Sequence, residues 1–237
     1  MQKYLLSFMV FITPLMLGMW SAPILADQMF CTSSGILIEG SSQANISEAC
    51  DAVKSAAHFF QTAGLTMPSN ILIRLEHETS SQTPDGHEIG HYNALLHTIV
   101  MKDFCTTTSQ SKQSIPGLWA IDSLPIWQSY IVHELTHAAI HADCDQNCPS
   151  RAIDEYIAAV AQISVLPEEY RSRLLGSYRD LKAWEDKDDI TEIYYAFDPH
   201  KFAIKSYKHY QQQTDPKAFL RIILAPHGES GDITPFF

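Results

Sequence analysis

A chain of 237 residues, 46% of them apolar, can bury a substantial core within one domain. Its formal charge of −11 argues against a nucleic-acid binder or a protein held electrostatically on an anionic membrane, since both need clustered Lys and Arg. A small neutral or cationic substrate, or none, suits that charge better.

Residues 1–26 read as a signal peptide. Lys3 is their only charge, an apolar run from Tyr4 to Trp20 follows, and Ser21-Ala22-Pro23-Ile24-Leu25-Ala26 ends in a small residue before Asp27. The alternative is an uncleaved anchor, since the run nearly spans a bilayer; Pro14, Gly18 and the Ala26-Asp27 junction favour cleavage. Residues 27–237 are then expected as one exported domain, secreted or periplasmic, with no stable membrane association. All five cysteines lie beyond the cleavage point, where an oxidising compartment lets them pair. The expected bridges are Cys144 to Cys148 and Cys31 to Cys50, leaving Cys105 over. A metal knuckle at Cys144 and Cys148 is the weaker reading, because two thiolates with no matching pair elsewhere make a poor zinc site.

Gly35-Ile36-Leu37-Ile38-Glu39-Gly40 reads as a strand, and Asn45-Ile46-Ser47-Glu48 as a capping box that opens a helix running to about Ala63. Asn45-Ile46-Ser47 also matches a glycosylation sequon, which the capping role explains without modification. Pro68-Ser69-Asn70 turns the chain into a strand at Ile71–Leu75, and Thr83-Pro84-Asp85-Gly86 turns it toward Tyr92–Met101. From Leu124 the pattern becomes helical: Leu124–Ala142, Ser150–Leu166, Pro167–Leu181 and Pro216–Leu224. Strands first and helices after make an α+β fold, with a small mixed sheet and a helical C-terminal half.

Chemistry concentrates in His133-Glu134-Leu135-Thr136-His137. Histidines four apart on a helix project from one face, one turn from each other, so both imidazoles can meet one zinc ion. Glu134 is then placed to take a proton from a metal-activated water and return it to a leaving amine. A core helix with two satisfied histidines is the competing reading, but it buries His133, Glu134 and His137 together without evident partners. A second match, His87-Glu88-Ile89-Gly90-His91, follows a turn sequence and contains a glycine. It is expected to enter a strand, where positions four apart lack helical geometry, and to carry surface histidines.

The next helix, Arg151-Ala152-Ile153-Asp154-Glu155-Tyr156, offers Glu155 as third ligand. Here the chain resembles the gluzincin type of zinc peptidase, in which His-Glu-x-x-His is followed about twenty residues later by a metal-binding Glu on the next helix. The resemblance spans roughly Tyr92 to Gln162 and is nearest to uncharacterised bacterial secreted families. It implies a zincin-like fold and one Zn²⁺ held by His133, His137 and Glu155. Position 159 is Ala, where several gluzincins carry an Asp that orients a zinc histidine; Asp154 is a candidate substitute. Asp143 sits where metzincin-like chains place their third ligand, but Ile140 replaces the glycine that swings it back. His141 lies one turn beyond His137, about 5.4 Å along the helix and out of reach of a shared ion.

The leading expectation is an exported zinc metallohydrolase, an endo- or aminopeptidase whose partner is a peptide or protein substrate. Tyr207, His209, Tyr210 and His200 are candidates for stabilising an oxyanion, and spacing does not choose among them. The strand near His97–Met101 is a candidate edge for an extended peptide, or else simple sheet packing. The alternative function is a non-catalytic scaffold of zincin fold that keeps the metal. A zinc scavenger fits less well, because the remaining histidines are scattered.

Overall fold

The computed structural model describes residues 27–31, 35–77, 89–108, 123–142, 144 and 148–225. The expected signal peptide, Asp143, and His87 and Glu88 of the second motif lie outside these residues. The chain forms an α+β fold around a five-stranded mixed sheet. Strands β1 (Asp27–Cys31), β2 (Ile36–Gly40), β3 (Leu72–Glu76), β4 (Gly90–Asn93) and β5 (Thr98–Lys102) lie in the order β1-β2-β3-β5-β4. The central β2, β3 and β5 are parallel, and β1 and β4 are antiparallel edges. Ile36, Ile38, Ile73, Ile99 and Met101 project from the central strands into the core.

Helix α1 (Gln43–Ala63) carries the chain from β2 to the parallel β3, a return that requires a crossover element. Its cap differs from expectation. Ser42 accepts from the Asn45 N–H, and Asn45 itself is buried inside the first turn. Gln43 and Ala44 tolerate helix, so the earlier hydroxyl takes the capping position. The helix stops at Gly64, whose φ of 77° suits glycine and lets its N–H reach the Phe60 carbonyl. The Cys31–Cys50 disulfide ties β1 to α1.

Beside α1, against β4 and β5, lies α2 (Leu124–Ala142), the helix of the first motif. Trp127, fully buried, donates its indole N–H to the Lys102 carbonyl at 2.9 Å, fixing the helix to the end of β5. Gln128 reaches the Glu48 carbonyl of α1 at 3.0 Å. Ile131, Val132, Leu135, Ala138 and Ala139 bury the opposite side of the motif, which leaves the histidine face for a cleft.

Helix α3 (Arg151–Ser164), capped by Ser150, packs against α2 on one side and α6 (Pro199–Gln212) on the other. Tyr156 of α3 and His209 of α6 share a hydrogen bond of 2.9 Å. Further along the chain lie α4 (Glu168–Ser177), α5 (Glu192–Phe197) and α7 (Pro216–Leu224), with a short 3-10 turn at Lys187–Asp189. Neither α5 nor α6 is among the expected helices. The Asp198-Pro199 break divides them, and lysines at 201, 205 and 208 interrupt the apolar pattern, so their stability comes from packing on α3.

Candidate metal centre

Helix periodicity sets His133 and His137 on one face of α2, with ring centroids 4.8 Å apart. Their Nε2 atoms are 3.1 Å apart. The antiparallel α3 lays Glu155 over the pair, its Oε2 at 3.5 Å from His133 Nε2 and 3.9 Å from His137 Nε2. Bonds of about 2.0–2.2 Å from one tetrahedral zinc would hold such atoms roughly 3.3 Å apart. The three side chains therefore fit a zinc ion after movements of a few tenths of an ångström.

The other face of each ring determines what the Nε2 atoms offer. Asp154 Oδ1 lies 2.8 Å from His137 Nδ1, and a carboxylate only accepts, so that nitrogen carries the hydrogen. His133 Nδ1 lies 3.1 Å from Gln162 Oε1, which accepts in the same way. With both Nδ1 atoms donating backward, the two Nε2 atoms face each other and a carboxylate. At 3.1 Å the two nitrogens need a positive charge between them, either the proton that His137 holds in the metal-free protein or a cation that displaces it.

Electrostatics agree. Burial disfavours the His137 cation, yet the Asp154 hydrogen bond and charge, aided by Glu134 and Glu155, raise its pKa to about 9. Burial works against the Glu155 carboxylate too, but His133, His137 and the Tyr195 hydroxyl lower its pKa to about 2. The pocket concentrates negative charge where a cation would sit. Glu134 is buried beside it.

The cleft over these residues measures about 960 Å³. Its walls are the edge strand β4 with Ile89, His91 and Tyr92, the motif face of α2, and Tyr195 and His200 from α5 and α6. A smaller recess of about 200 Å³ runs from Tyr130 and His133 to Ala159, Phe202 and Ala203.

Glu155 rather than His141 joins the two histidines. His141 turns its Nε2 to Asp154 Oδ2 at 3.2 Å and its Nδ1 to Cys148 Sγ at 3.8 Å. Asp154 and Gln162 supply the orienting contacts that Ala159 cannot. Gln162 lies seven residues beyond Glu155, on the same helical face, and that spacing is a signal the sequence carries. Among the oxyanion candidates, His200 borders the cleft. Tyr207 is buried, His209 is committed to Tyr156, and Tyr210 lines a groove with His58 and Phe59. Tyr195, absent from the expected set, bonds Glu155 and lies under the Arg151 guanidinium, 5.2 Å from the ring centroid.

Two further expectations change. Strand β5 is paired on both sides, so among the described residues the edge strand at the cleft is β4. Ile89 and Gly90 of the second motif lead into that strand as expected, and position 90 requires glycine because a Cβ there would meet Met101 Sδ and the Val100 carbonyl. His91, however, lines the cleft instead of the outer surface.

A family model matches residues 36–228, and the chain belongs to that family, described as a family of unknown function (DUF6639). No curated protein and no solved structure matches the chain. Both expected disulfides of this DUF6639 member are formed, and Cys105 is free and exposed. Among the described residues, no helix is long and apolar enough to cross a membrane.

Proposed function

We propose that this protein is an exported zinc-dependent metallohydrolase of gluzincin type and zincin-like fold that cleaves peptide bonds. The observation that carries the reading is the convergence of His133 Nε2, His137 Nε2 and Glu155 Oε2, with both Nδ1 atoms held from behind. A hydrogen-bonded core pair of histidines needs neither a carboxylate at the same point nor a cleft above it.

One zinc ion held by His133, His137 and Glu155 would supply Lewis acidity to a water and to the scissile carbonyl. Glu134 takes the proton from the attacking water and delivers it to the leaving amine. Asp154 and Gln162 keep the imidazoles in the donating tautomer. Tyr195 holds the Glu155 carboxylate in place. Burial lowers the pKa of His200, which keeps a neutral ring at the cleft wall, able to donate to the developing oxyanion.

An extended peptide adds to β4, which among the described residues is the edge strand of the sheet and borders the cleft. Export follows from the leader over residues 1–26 and agrees with two disulfides in one chain. The test is cleavage of a peptide library by the purified mature protein, with and without chelator. Chelator-sensitive cleavage is expected, and a zinc-loaded protein that cleaves no peptide would refute the peptidase reading.

A further inference from the structure

Beyond the His133 site, a second group of ligand-type atoms lies at the C-terminal end of α2. One imidazole nitrogen of His141, Cys144 Sγ and Cys148 Sγ all lie within 4.8 Å of one another. In the oxidised chain the two sulfurs form a disulfide and coordinate nothing, because thiolate is the metal-binding form. We propose that this disulfide is a redox gate: when reduced, Cys144, Cys148 and His141 form a second, thiolate-rich site for a zinc-like divalent cation.

Three observations support it. His141 Nδ1 already lies 3.8 Å from Cys148 Sγ, close to the roughly 3.5 Å that bonds of about 2.0 and 2.3 Å to one tetrahedral zinc would impose. His141 Nε2 is the donor to Asp154 Oδ2 at 3.2 Å, so the Nδ1 lone pair is the free one and faces the sulfurs. Cys148 is exposed, whereas Cys31 and Cys50 of the other disulfide are buried, so an incoming reductant meets the 144–148 bridge first.

The chemistry balances with a dithiol of the class carried by thiol–disulfide oxidoreductases. Its thiolate attacks Cys148 Sγ, the Cys144–Cys148 bond breaks, and a mixed disulfide forms. The second thiol resolves that intermediate, leaving an oxidised dithiol and two reduced cysteines that have gained two electrons and two protons. Metal binding then displaces both thiol protons.

Asp154 links this group to the first site. One carboxylate oxygen holds His137 and the other holds His141, so one side chain orients an imidazole in each.

The test is titration with cobalt(II) alone, since cobalt bound to thiolate absorbs in the near ultraviolet and cobalt bound only to imidazole and carboxylate does not. Protein reduced with a phosphine, freed of it and kept under nitrogen is expected to gain one cobalt equivalent over the oxidised protein, together with that band. The reduced Cys144→Ser/Cys148→Ser variant, which retains Cys31, Cys50 and Cys105, should show neither. His141→Ala should weaken the extra equivalent at least tenfold. His133→Ala/His137→Ala should keep the band while losing the other equivalent, which separates this proposal from the peptidase reading. Equal stoichiometry and spectra for reduced wild type and Cys144→Ser/Cys148→Ser would overturn it.

Discussion

Asp154 Oδ1 approaches His137 Nδ1 to 2.8 Å, a contact made across the turn between α2 and α3. It fixes which nitrogen of His137 carries hydrogen and thereby directs Nε2 at Glu155 and His133. Asp154→Asn keeps the shape but allows the amide to present a donor. Its zinc affinity should fall by about 10–100-fold with little change in fold, as read by competitive titration and circular dichroism. Unchanged affinity would mean that the ring is oriented by packing alone.

Glu134 is not among the converging atoms, and the proposed mechanism assigns it proton transfer. Glu134→Gln should retain one zinc per chain while turnover drops roughly 10²–10⁴-fold. Metal analysis and rate measurement on the same preparation decide it. Loss of zinc together with activity would make Glu134 a structural residue.

The raised pKa of His137 gives the metal-free protein a pH signature. Its folded value of about 9 exceeds the ordinary 6.5, so the protonated ring contributes stability that is fully present below pH 6.5 and is lost as pH rises through 9. Zinc must displace that proton, so apparent affinity should climb up to about tenfold per pH unit until about pH 9 and then level. Thermal melts with and without zinc should accordingly diverge as pH rises across this window. A constant difference would show that His137 binds no proton in the metal-free state.

Third-ligand candidates separate by substitution. Glu155→Ala should lower zinc affinity strongly, whereas Asp143→Ala should leave it nearly unchanged. His141→Ala should also do little, since its side chain faces Cys148 and the outer oxygen of Asp154. Equilibrium titration of oxidised protein compares the three, and a large loss in Asp143→Ala alone would reassign the site.

Much of this arrangement can be read from residue order. His133 and His137 are related by helical period alone, and the helix–loop–helix return that brings Glu155 over them needs only a short connection. The strands at Ile36 and Leu72 and the helix at Leu124 follow from apolar patterning with clear turn signals. What escaped depends on contacts distant in sequence. β1 is short, largely exposed and defined by pairing with β2 and by Cys50. The helices at Glu192 and Pro199 form against α3, and with them come Tyr195 and the cleft position of His200. The edge role of β4 depends on strand order, which residue pattern does not encode.

The most direct test of the metal centre is zinc stoichiometry of oxidised protein combined with X-ray absorption at the zinc edge. One zinc per chain is expected, bound by two imidazole nitrogens and carboxylate or water oxygen at about 2.0–2.2 Å, with no sulfur in its shell. His133→Ala/His137→Ala should abolish that binding. An oxidised protein that binds no zinc, or binds it equally well without the two histidines, would contradict the assignment.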